Sequence, residues 1–476
     1  MKADLIVLGR VGATQTANAV AVRGDRIVFV GSENRALELR GPRSEVLGDG
    51  RGTILPGFVD AHLHLLALAR RRAEVDCSMQ RARSVGAIIA VIREAARRLP
   101  PGSWIRAFGY DESFLEEQRA PTVAELDAAT RAHPVRLLHR TGHAVVLSSL
   151  ALRRLGMARR EVIHEPRALL KGKIPPPEGA ELDRLLRETS RQLSAAGITS
   201  LHDPTPGRDD DELDALRRAL AEAEVVQRVV AYGAPGVAAR HGEPSGRFHV
   251  AGVKIIIGES TAAEAVATEV AAADRAGQQL ALHAVEGGPL VAAVDALRRL
   301  GAERVRTLRH RIEHAALCPP ALCTEIAESG ATVVTHPQFL RCFGEKYARE
   351  VDAEQRAWLY PLRSLRRAGV PIALGSDAPI APPHPLANVQ AAVERLTDRG
   401  ERLAPSEAIG ADEAIRLHTR GGAAAANLDR LIGTVADGML ADLVLLDADP
   451  AEVPASEIGA IGVRATVIGG SVEWRR

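Results

Sequence analysis

The chain has 476 residues, of which 46% are hydrophobic and 25% are charged. This composition is ordinary for a globular protein with a large apolar core. The 61 basic and 60 acidic residues nearly cancel and leave a formal net charge of +1. Such a balance gives no electrostatic reason for a nucleic-acid or membrane partner, and we expect neither.

The cysteines and the N-terminal segment indicate a cellular compartment. Cys77, Cys318, Cys323 and Cys342 form no CxxC pair, so in a chain of this size they are expected to be reduced thiols. The apolar run 5–8 is too short for the core of a signal peptide. No uncharged apolar run approaches the length of a membrane span. We therefore expect a cytoplasmic protein.

Short β-prone runs fill residues 1–55, and similar runs return only near the other end, at 441–446 and 465–468. Neither end is large enough to bury a core alone. The pattern therefore predicts one β-sandwich domain that is formed by residues 1–55 together with residues 430–476.

Between these ends, β-like runs alternate with helical stretches rich in alanine, leucine and arginine. The strand candidates are 57–63, 198–202, 227–232, 250–257, 279–284, 311–315, 331–335 and 371–375. Eight such β/α units are typical of a (β/α)8 TIM barrel, an α/β fold, and we assign residues 56–429 to it.

The stretch that follows the first predicted barrel strand is too long for a single helix. It contains extra strand-like runs at 104–110 and 135–140 and three consecutive prolines at 175–177. We interpret residues from about 66 to 196 as a large insertion on the rim, where barrel enzymes build their active sites.

The run 54–64 reads as a buried strand that carries His62 and His64. Side chains at positions i and i+2 of a strand point the same way, so the two imidazoles should leave one face together. A pair of neutral imidazoles suits a metal ion. The alternative interpretation is a pair of hydrogen-bonded core histidines.

Further polar groups lie at the ends of other predicted strands, namely His283, His314 and Asp377. Lys254 lies within the apolar run 253–257. A buried lysine has a lowered pKa, and its neutral amine can react with carbon dioxide to give a carbamate that could bridge two metals. The alternative is that Lys254 extends to solvent or pairs with a neighbour.

Five motifs taken together resemble the amidohydrolase superfamily, in the branch that contains N-substituted formamide deformylase (amidohydrolase family 3 type). They are PGFVDAHLH (56–64), GVKIII (252–257), LHAVE (282–286), HRIEHA (310–315) and LGSDAP (374–379). The segment 433–450 also resembles that branch, so the resemblance covers nearly the whole chain.

This resemblance implies a binuclear metal centre. The implied ligands are His62, His64, Lys254, His283, His314 and Asp377. The first histidine pair and Asp377 would bind the more buried metal, the second pair the more exposed one, and carboxylated Lys254 would bridge them. Zinc, manganese and iron all accept such a mixed donor set, and we expect two zinc ions. A hydroxide that bridges the metals would attack the C–N bond of an amide, formamide or cyclic amide, with Asp377 as the proton shuttle.

Four residues are expected to shape the substrate site, namely Asp111, His143, His336 and Glu286. The motif H283-A-V-E286 also resembles the mononuclear deaminases of the superfamily, in which the glutamate donates a proton. A mononuclear aminohydrolase is therefore the alternative, and a catalytically silent scaffold on the same fold is a third. The predicted partner is a small-molecule substrate of undefined identity, and the oligomeric state is left open, with a homodimer as one option.

Overall fold

A computed structural model describes residues 2–12, 16–140, 142, 144–164, 169–170, 172–237 and 246–476. The chain divides into two compact units. The first comprises Met1–Leu65 with Arg187–Arg476, and the second comprises Leu66–Leu186. His143, one of the predicted substrate-binding residues, lies outside the described residues.

The strands are numbered in chain order as follows: β1 Ala3–Leu8, β2 Arg10–Val11, β3 Ala19–Arg23, β4 Arg26–Gly31, β5 Arg40–Leu47, β6 Thr53–Pro56, β7 Phe58–Asp60, β8 Val75–Asp76, β9 Ile105–Tyr110, β10 Val135–His139, β11 Ala144–Leu147, β12 Ile163–His164, β13 Ile198–Asp203, β14 Arg228–Gly233, β15 Phe248–Ile256, β16 Gln279–Ala284, β17 Arg311–His314, β18 Thr332–Thr335, β19 Ile372–Leu374, β20 Leu443–Leu446, β21 Val463–Ile468 and β22 Ser471–Arg475.

The α-helices within the described residues are α1 Glu33–Glu38, α2 Leu65–Arg71, α3 Val85–Arg98, α4 Val123–Ala129, α5 Ser149–Arg154, α6 Gly179–Ala195, α7 Asp210–Glu222, α8 Ala263–Arg275, α9 Gly287–Leu300, α10 Ala302–Leu308, α11 Pro320–Ser329, α12 Phe339–Glu350, α13 Leu362–Ala368, α14 Pro385–Glu394, α15 Ala411–Arg416 and α16 Gly422–Ala424. A π-helical segment, Leu417–Gly421, joins α15 to α16.

The first unit contains a parallel eight-stranded sheet in the order β7-β13-β14-β15-β16-β17-β18-β19. Between β19 and β7 the sheet is closed by a hydrogen bond from Ala61 N to Leu374 O (3.1 Å) and by a bridge between Leu63 and Ala378. The helices follow the strands in alternation. The predicted (β/α)8 barrel is therefore confirmed.

Helix α7 illustrates why these segments are helical. Asp209 and Glu212 form a capping box that satisfies free backbone N–H groups at its start. Leu213, Leu216 and Leu220 are buried, a spacing that places them on one face of the helix. Burial of this stripe explains why the helix forms at the barrel periphery.

Two smaller sheets of the first unit contain the outermost strands of the chain. One has the order β4-β3-β1-β5, and the other has the order β2-β6-β20-β21-β22. Strand β6 pairs antiparallel with β20. A buried ion pair connects the second sheet with the barrel, because Arg228 Nε in β14 lies 2.7 Å from an oxygen of Asp442.

The second unit is built on a mixed sheet in the order β12-β11-β10-β9-β8. Its strands β9 and β10 correspond to the runs predicted at 104–110 and 135–140. Apolar residues of α3 such as Ile88 and Ile92 belong to its core. The unit ends within α6, whereas the sequence suggested an insertion that extends to about residue 196.

Within the described residues, every helix is too short or too polar to cross a membrane.

Candidate metal centre

The segment that carries His62 and His64 differs from its prediction as a continuous strand. Strand β7 ends at Asp60, and both histidines lie in the turn that follows it. The Asp60 carboxylate accepts the backbone N–H groups of His62 (3.3 Å) and Ser376 (2.9 Å), which diverts the chain from the strand ladder. The turn is fixed on its other side by the bond from Asp377 N to His62 O (2.7 Å).

Four barrel strands direct imidazoles towards this turn. The His62 ring centroid lies 5.3 Å from that of His64, 5.0 Å from that of His314 and 5.1 Å from that of His336. His283, at the end of β16, lies 4.5 Å from His314, ring to ring. All five rings therefore belong to one cluster at the carboxyl ends of the strands, where barrel enzymes place their catalytic groups.

Asp377 contributes a carboxylate to the cluster. Its Oδ1 lies 3.3 Å from His64 Nε2 and 3.5 Å from His62 Nε2. Asp377 has a φ of 55° and His314 a φ of 77°, in the left-handed region that costs a non-glycine residue about 1–3 kcal/mol. The surrounding fold maintains this strain at two of the predicted ligands.

Within this cluster, two sets of described side chains have ligand atoms close enough to hold an ion. These sets are His62, His64 and Asp377, and His62, His314 and His336, with ligand atoms within 4.8 Å of one another in each set. The second set includes His336, for which the sequence suggested a substrate-binding role.

Buried nitrogen atoms without partners support the fit of a metal to this cluster. Among the described residues, Lys254 Nζ, His314 Nε2 and His336 Nε2 have no hydrogen-bond partner. A polar atom that is buried in this way is costly unless it is bound. His336 Nδ1 is already committed to Gly375 O (2.9 Å), so its Nε2 is the atom left for a ligand role.

Lys254 lies on β15 and is only 3% exposed. Burial lowers the pKa of its amine to about 8, so a larger neutral fraction is present near neutral pH than for an exposed lysine. Burial, and next to it the charge of Lys254, lower the pKa of His62 and of His283. The charge of Asp377 in turn opposes the lowering of the Lys254 pKa by burial. The predicted bridging residue is thus part of the cluster, and the side chain does not extend to solvent.

Glu313 is a residue of the site that sequence reasoning missed. Its Oε2 lies 2.5 Å from His62 Nδ1, and both side chains are fully buried. The contact assigns the His62 proton to Nδ1 and leaves Nε2 as the lone-pair nitrogen that points to Asp377. Arg311 binds both oxygens of Glu313. Burial would raise the pKa of Glu313, but the charge of Arg311 keeps it at about 2.

A second carboxylate lies behind His64. Thr205 Oγ1 lies 2.8 Å from His64 Nδ1 and donates to Asp203 Oδ1 (2.6 Å). Arg208 in turn binds Asp203 through Nη2 (3.0 Å). His62 and His64 therefore both have an oriented Nδ1, which directs each Nε2 towards Asp377.

Glu286 and Asp111 are the other predicted substrate-binding residues within the described part of the chain. Glu286 is exposed and directly precedes α9. Asp111 belongs to the second unit, where its carboxylate binds Arg140 Nε (2.9 Å) and Ser113 Oγ (2.5 Å). Their predicted substrate-binding roles stay predictions.

Two known proteins match this chain over nearly its whole length. N-substituted formamide deformylase from Arthrobacter pascens is 28% identical, over 97% of this chain and 95% of that protein. The putative amidohydrolase YtcJ from Bacillus subtilis (strain 168) is 24% identical, over 96% of each.

Solved structures share the fold. A metal-dependent hydrolase from Pyrococcus horikoshii OT3 superposes with a TM-score of 0.78 at 22% identity, covering 95% of this chain and 99% of that one. Atrazine chlorohydrolase TrzN from Arthrobacter aurescens TC1, complexed with zinc, gives 0.54 at 17% identity over 98% and 94%. The sequence model of the amidohydrolase family matches residues 50–472. The chain therefore belongs to the amidohydrolase family.

Proposed function

We propose that this protein uses a binuclear zinc centre to hydrolyse the C–N bond of an amide, formamide or cyclic amide. The observation that carries the proposal is the set of buried nitrogen atoms without hydrogen-bond partners, Lys254 Nζ, His314 Nε2 and His336 Nε2, beside the His62–His64–Asp377 group. Buried polar atoms of this kind are costly unless a ligand binds them, and a divalent metal ion suits neutral imidazole and carboxylate donors.

Membership in the amidohydrolase family already makes the chain a metal-dependent hydrolase of C–N bonds, as the sequence predicted. The finer assignment distributes the ligands over two positions. His62, His64 and Asp377 would hold one ion, His283 and His314 the other, and Lys254, as a carbamate formed with carbon dioxide, would bridge them. The grouping of His62, His64 and Asp377 and the 4.5 Å between the ring centroids of His283 and His314 support this division. When bound, the ions would polarise the substrate carbonyl and supply a nucleophile at neutral pH.

Asp377 is the proposed proton carrier. Its Oδ1 would accept a proton from the attacking water as the new C–O bond forms and would pass it to the leaving nitrogen as the C–N bond breaks. His62 and His64 flank that oxygen at 3.5 and 3.3 Å. Glu313 would act as a positioning residue that keeps the proton of His62 on Nδ1.

The likeness to N-substituted formamide deformylase makes N-substituted formamides the first substrates to test. Zinc is favoured because histidine nitrogen and carboxylate oxygen are its usual ligands, and the TrzN structure was obtained with zinc. The roles proposed for Asp111, His143, His336 and Glu286 would be tested by substitution once a substrate is known.

Metal stoichiometry separates the competing functions. We expect about two divalent ions per chain, measured by elemental analysis of protein purified without chelators. One ion per chain would favour a mononuclear aminohydrolase, with Glu286 as proton donor, and no ion would favour a silent scaffold.

Lys254→Ala tests the bridge directly. The variant should lose metal and activity, and added bicarbonate or a short carboxylic acid should partly restore both because it can fill the vacated position. Lys254→Arg should not be rescued, since arginine keeps its cation. The matched control is Lys173→Ala, at an exposed lysine. Full metal content in unsupplemented Lys254→Ala would refute the bridging role.

A further inference from the structure

A cavity lies at the end of the barrel opposite the metal cluster. Its volume is about 390 Å³, and its wall includes Thr332 and Ile372. These are the first residues of β18 and β19, whereas His336 and Asp377 follow the last residues of the same strands. At about 3.3 Å per residue, the strands separate the cavity from the metal cluster by roughly 10–15 Å.

The wall of this cavity carries an unusual concentration of positive charge. The charges come from Arg306 of α10, Arg309 directly after α10, Arg416 at the end of α15 and Arg420 of the π-helical segment. Within the part of the chain that the structure describes, Asp429 is the one acidic residue that lines the cavity. The whole chain has a net charge of only +1, so this excess is local.

Asp429 is already engaged with one of these arginines. Its Oδ1 lies 2.6 Å from Arg309 Nη1, which also donates to Ala424 O (2.6 Å). Burial would raise the pKa of Asp429, but the bond from Arg309 and the charges of Arg309 and Arg420 lower it below its usual value. The acid is therefore ionised and compensates for about one of the four cations.

The other arginines have no comparable partner. Among the described residues, no carboxylate lies within 4 Å of the guanidinium groups of Arg306, Arg416 or Arg420. All three side chains are exposed and can turn towards a ligand. The surface between them is apolar, because it is formed by Pro371, Ile372 and other nonpolar side chains.

We propose that this cavity binds a small organic anion with two or more negative charges on a compact apolar body. Guanidinium groups bind phosphate, sulfonate and carboxylate groups through paired hydrogen bonds. Three uncompensated arginines favour more than one such group, while the nonpolar surface favours a hydrocarbon body. The volume falls within the range of small-molecule pockets. This site is separate from the hydrolytic one and does not depend on the proposed reaction.

Calorimetric titration of the metal-loaded, full-length protein with benzene-1,3-disulfonate tests the proposal. This probe has two charges on a compact ring, and sulfonates are weak metal ligands. Ionic strength is held constant so that general screening does not change. We expect one probe per chain and weaker binding of benzenesulfonate, which has one charge.

The decisive variant is Arg416→Ala/Arg420→Ala. It should bind the disulfonate at least about tenfold more weakly, because it loses two guanidinium groups that each form charge-assisted hydrogen bonds with a sulfonate. The control, Arg218→Ala/Arg367→Ala, removes the same charge from two exposed arginines that do not line the cavity and should match the wild type. Wild-type affinity in the decisive variant, or no binding by the wild type up to about 10 mM, would overturn the proposal. If the double variant does not fold, unchanged affinity in Arg306→Ala, which removes a lining arginine from another helix, would overturn the proposal equally.

Discussion

Replacement of Glu313 by glutamine should weaken metal binding without removing any proposed ligand. In the structure, the two Glu313 oxygens accept from Arg311 and from His62 Nδ1 (2.5 Å). Glutamine retains one acceptor and introduces an NH₂ donor. If the NH₂ faces His62, it favours the tautomer with the proton on Nε2, which destroys that ligand atom. If it faces Arg311, two donors oppose each other in a buried site.

The loss of such a supporting contact typically costs 10–100-fold in metal affinity, or about 1.4–2.8 kcal/mol. The buried charge of Arg311 also loses its counterion, which should lower the free energy of unfolding by about 3–5 kcal/mol. Competition with a chromophoric chelator would measure metal affinity, and circular dichroism would establish that the variant is folded. The control is Glu222→Gln, at an exposed glutamate of α7. A folded Glu313→Gln protein with wild-type metal affinity would refute the orienting role.

Three further predictions concern proton transfer, the terminal strands and a helix cap. Asp377→Asn should reduce turnover at least about 100-fold, the usual contribution of a general base, whereas Asp437→Asn at an exposed site should leave turnover unchanged. A loss of only a few-fold in Asp377→Asn would contradict the role of Asp377 as proton carrier. Deletion of Ala465–Arg476 removes β22 and most of β21 and should cause aggregation or a lower melting temperature, because it exposes the apolar core beneath them; an unchanged melting temperature would speak against this. Glu125 in the capping box of α4 has its pKa lowered from 4.5 to about 2, first by the hydrogen bond from Arg119. The stabilisation that the ionised Glu125 carboxylate contributes is therefore complete above pH 4.5 and is lost as the pH falls towards 2. The difference in melting temperature between wild type and Glu125→Gln should shrink below pH 4.5. A difference that stays constant with pH would contradict this prediction.

The barrel strands could be predicted because buried parallel strands are continuous apolar runs. Gln279–Ala284 matches its predicted bounds, and β17 differs from its prediction by one residue at its end. The first strand is shorter than predicted because the Asp60 carboxylate binds backbone N–H groups outside the ladder. A side chain that competes for backbone donors is not visible in a hydrophobic pattern.

In the site, too, some residues could be predicted from the sequence pattern and others could not. Histidines at strand ends are visible in the sequence, and so is a lysine in an apolar run. Glu313 was not recognised because its partner, His62, lies 251 positions away in the chain. The alternation Arg311-Ile312-Glu313, which directs two charged side chains into the barrel interior, was the signal that could have identified it. The absence of partners for His336 Nε2 required coordinates, since only packing reveals which atoms remain unpaired.

The pairing of β6 with β20 has a consequence for biosynthesis. Strand β6 directly precedes the barrel strand that leads to His62, yet its ladder partner is about 390 residues further along the chain. At translation rates of about 5–20 residues per second, the ribosome reaches that partner roughly 20–80 s later. During that interval the edge of β6 on which β20 later pairs is open, while the barrel helices and strands are already emerging. The sheet that supports the first metal-ligand pair is therefore completed last, and a nascent chain stalled before Leu443 should depend on chaperones to protect this edge.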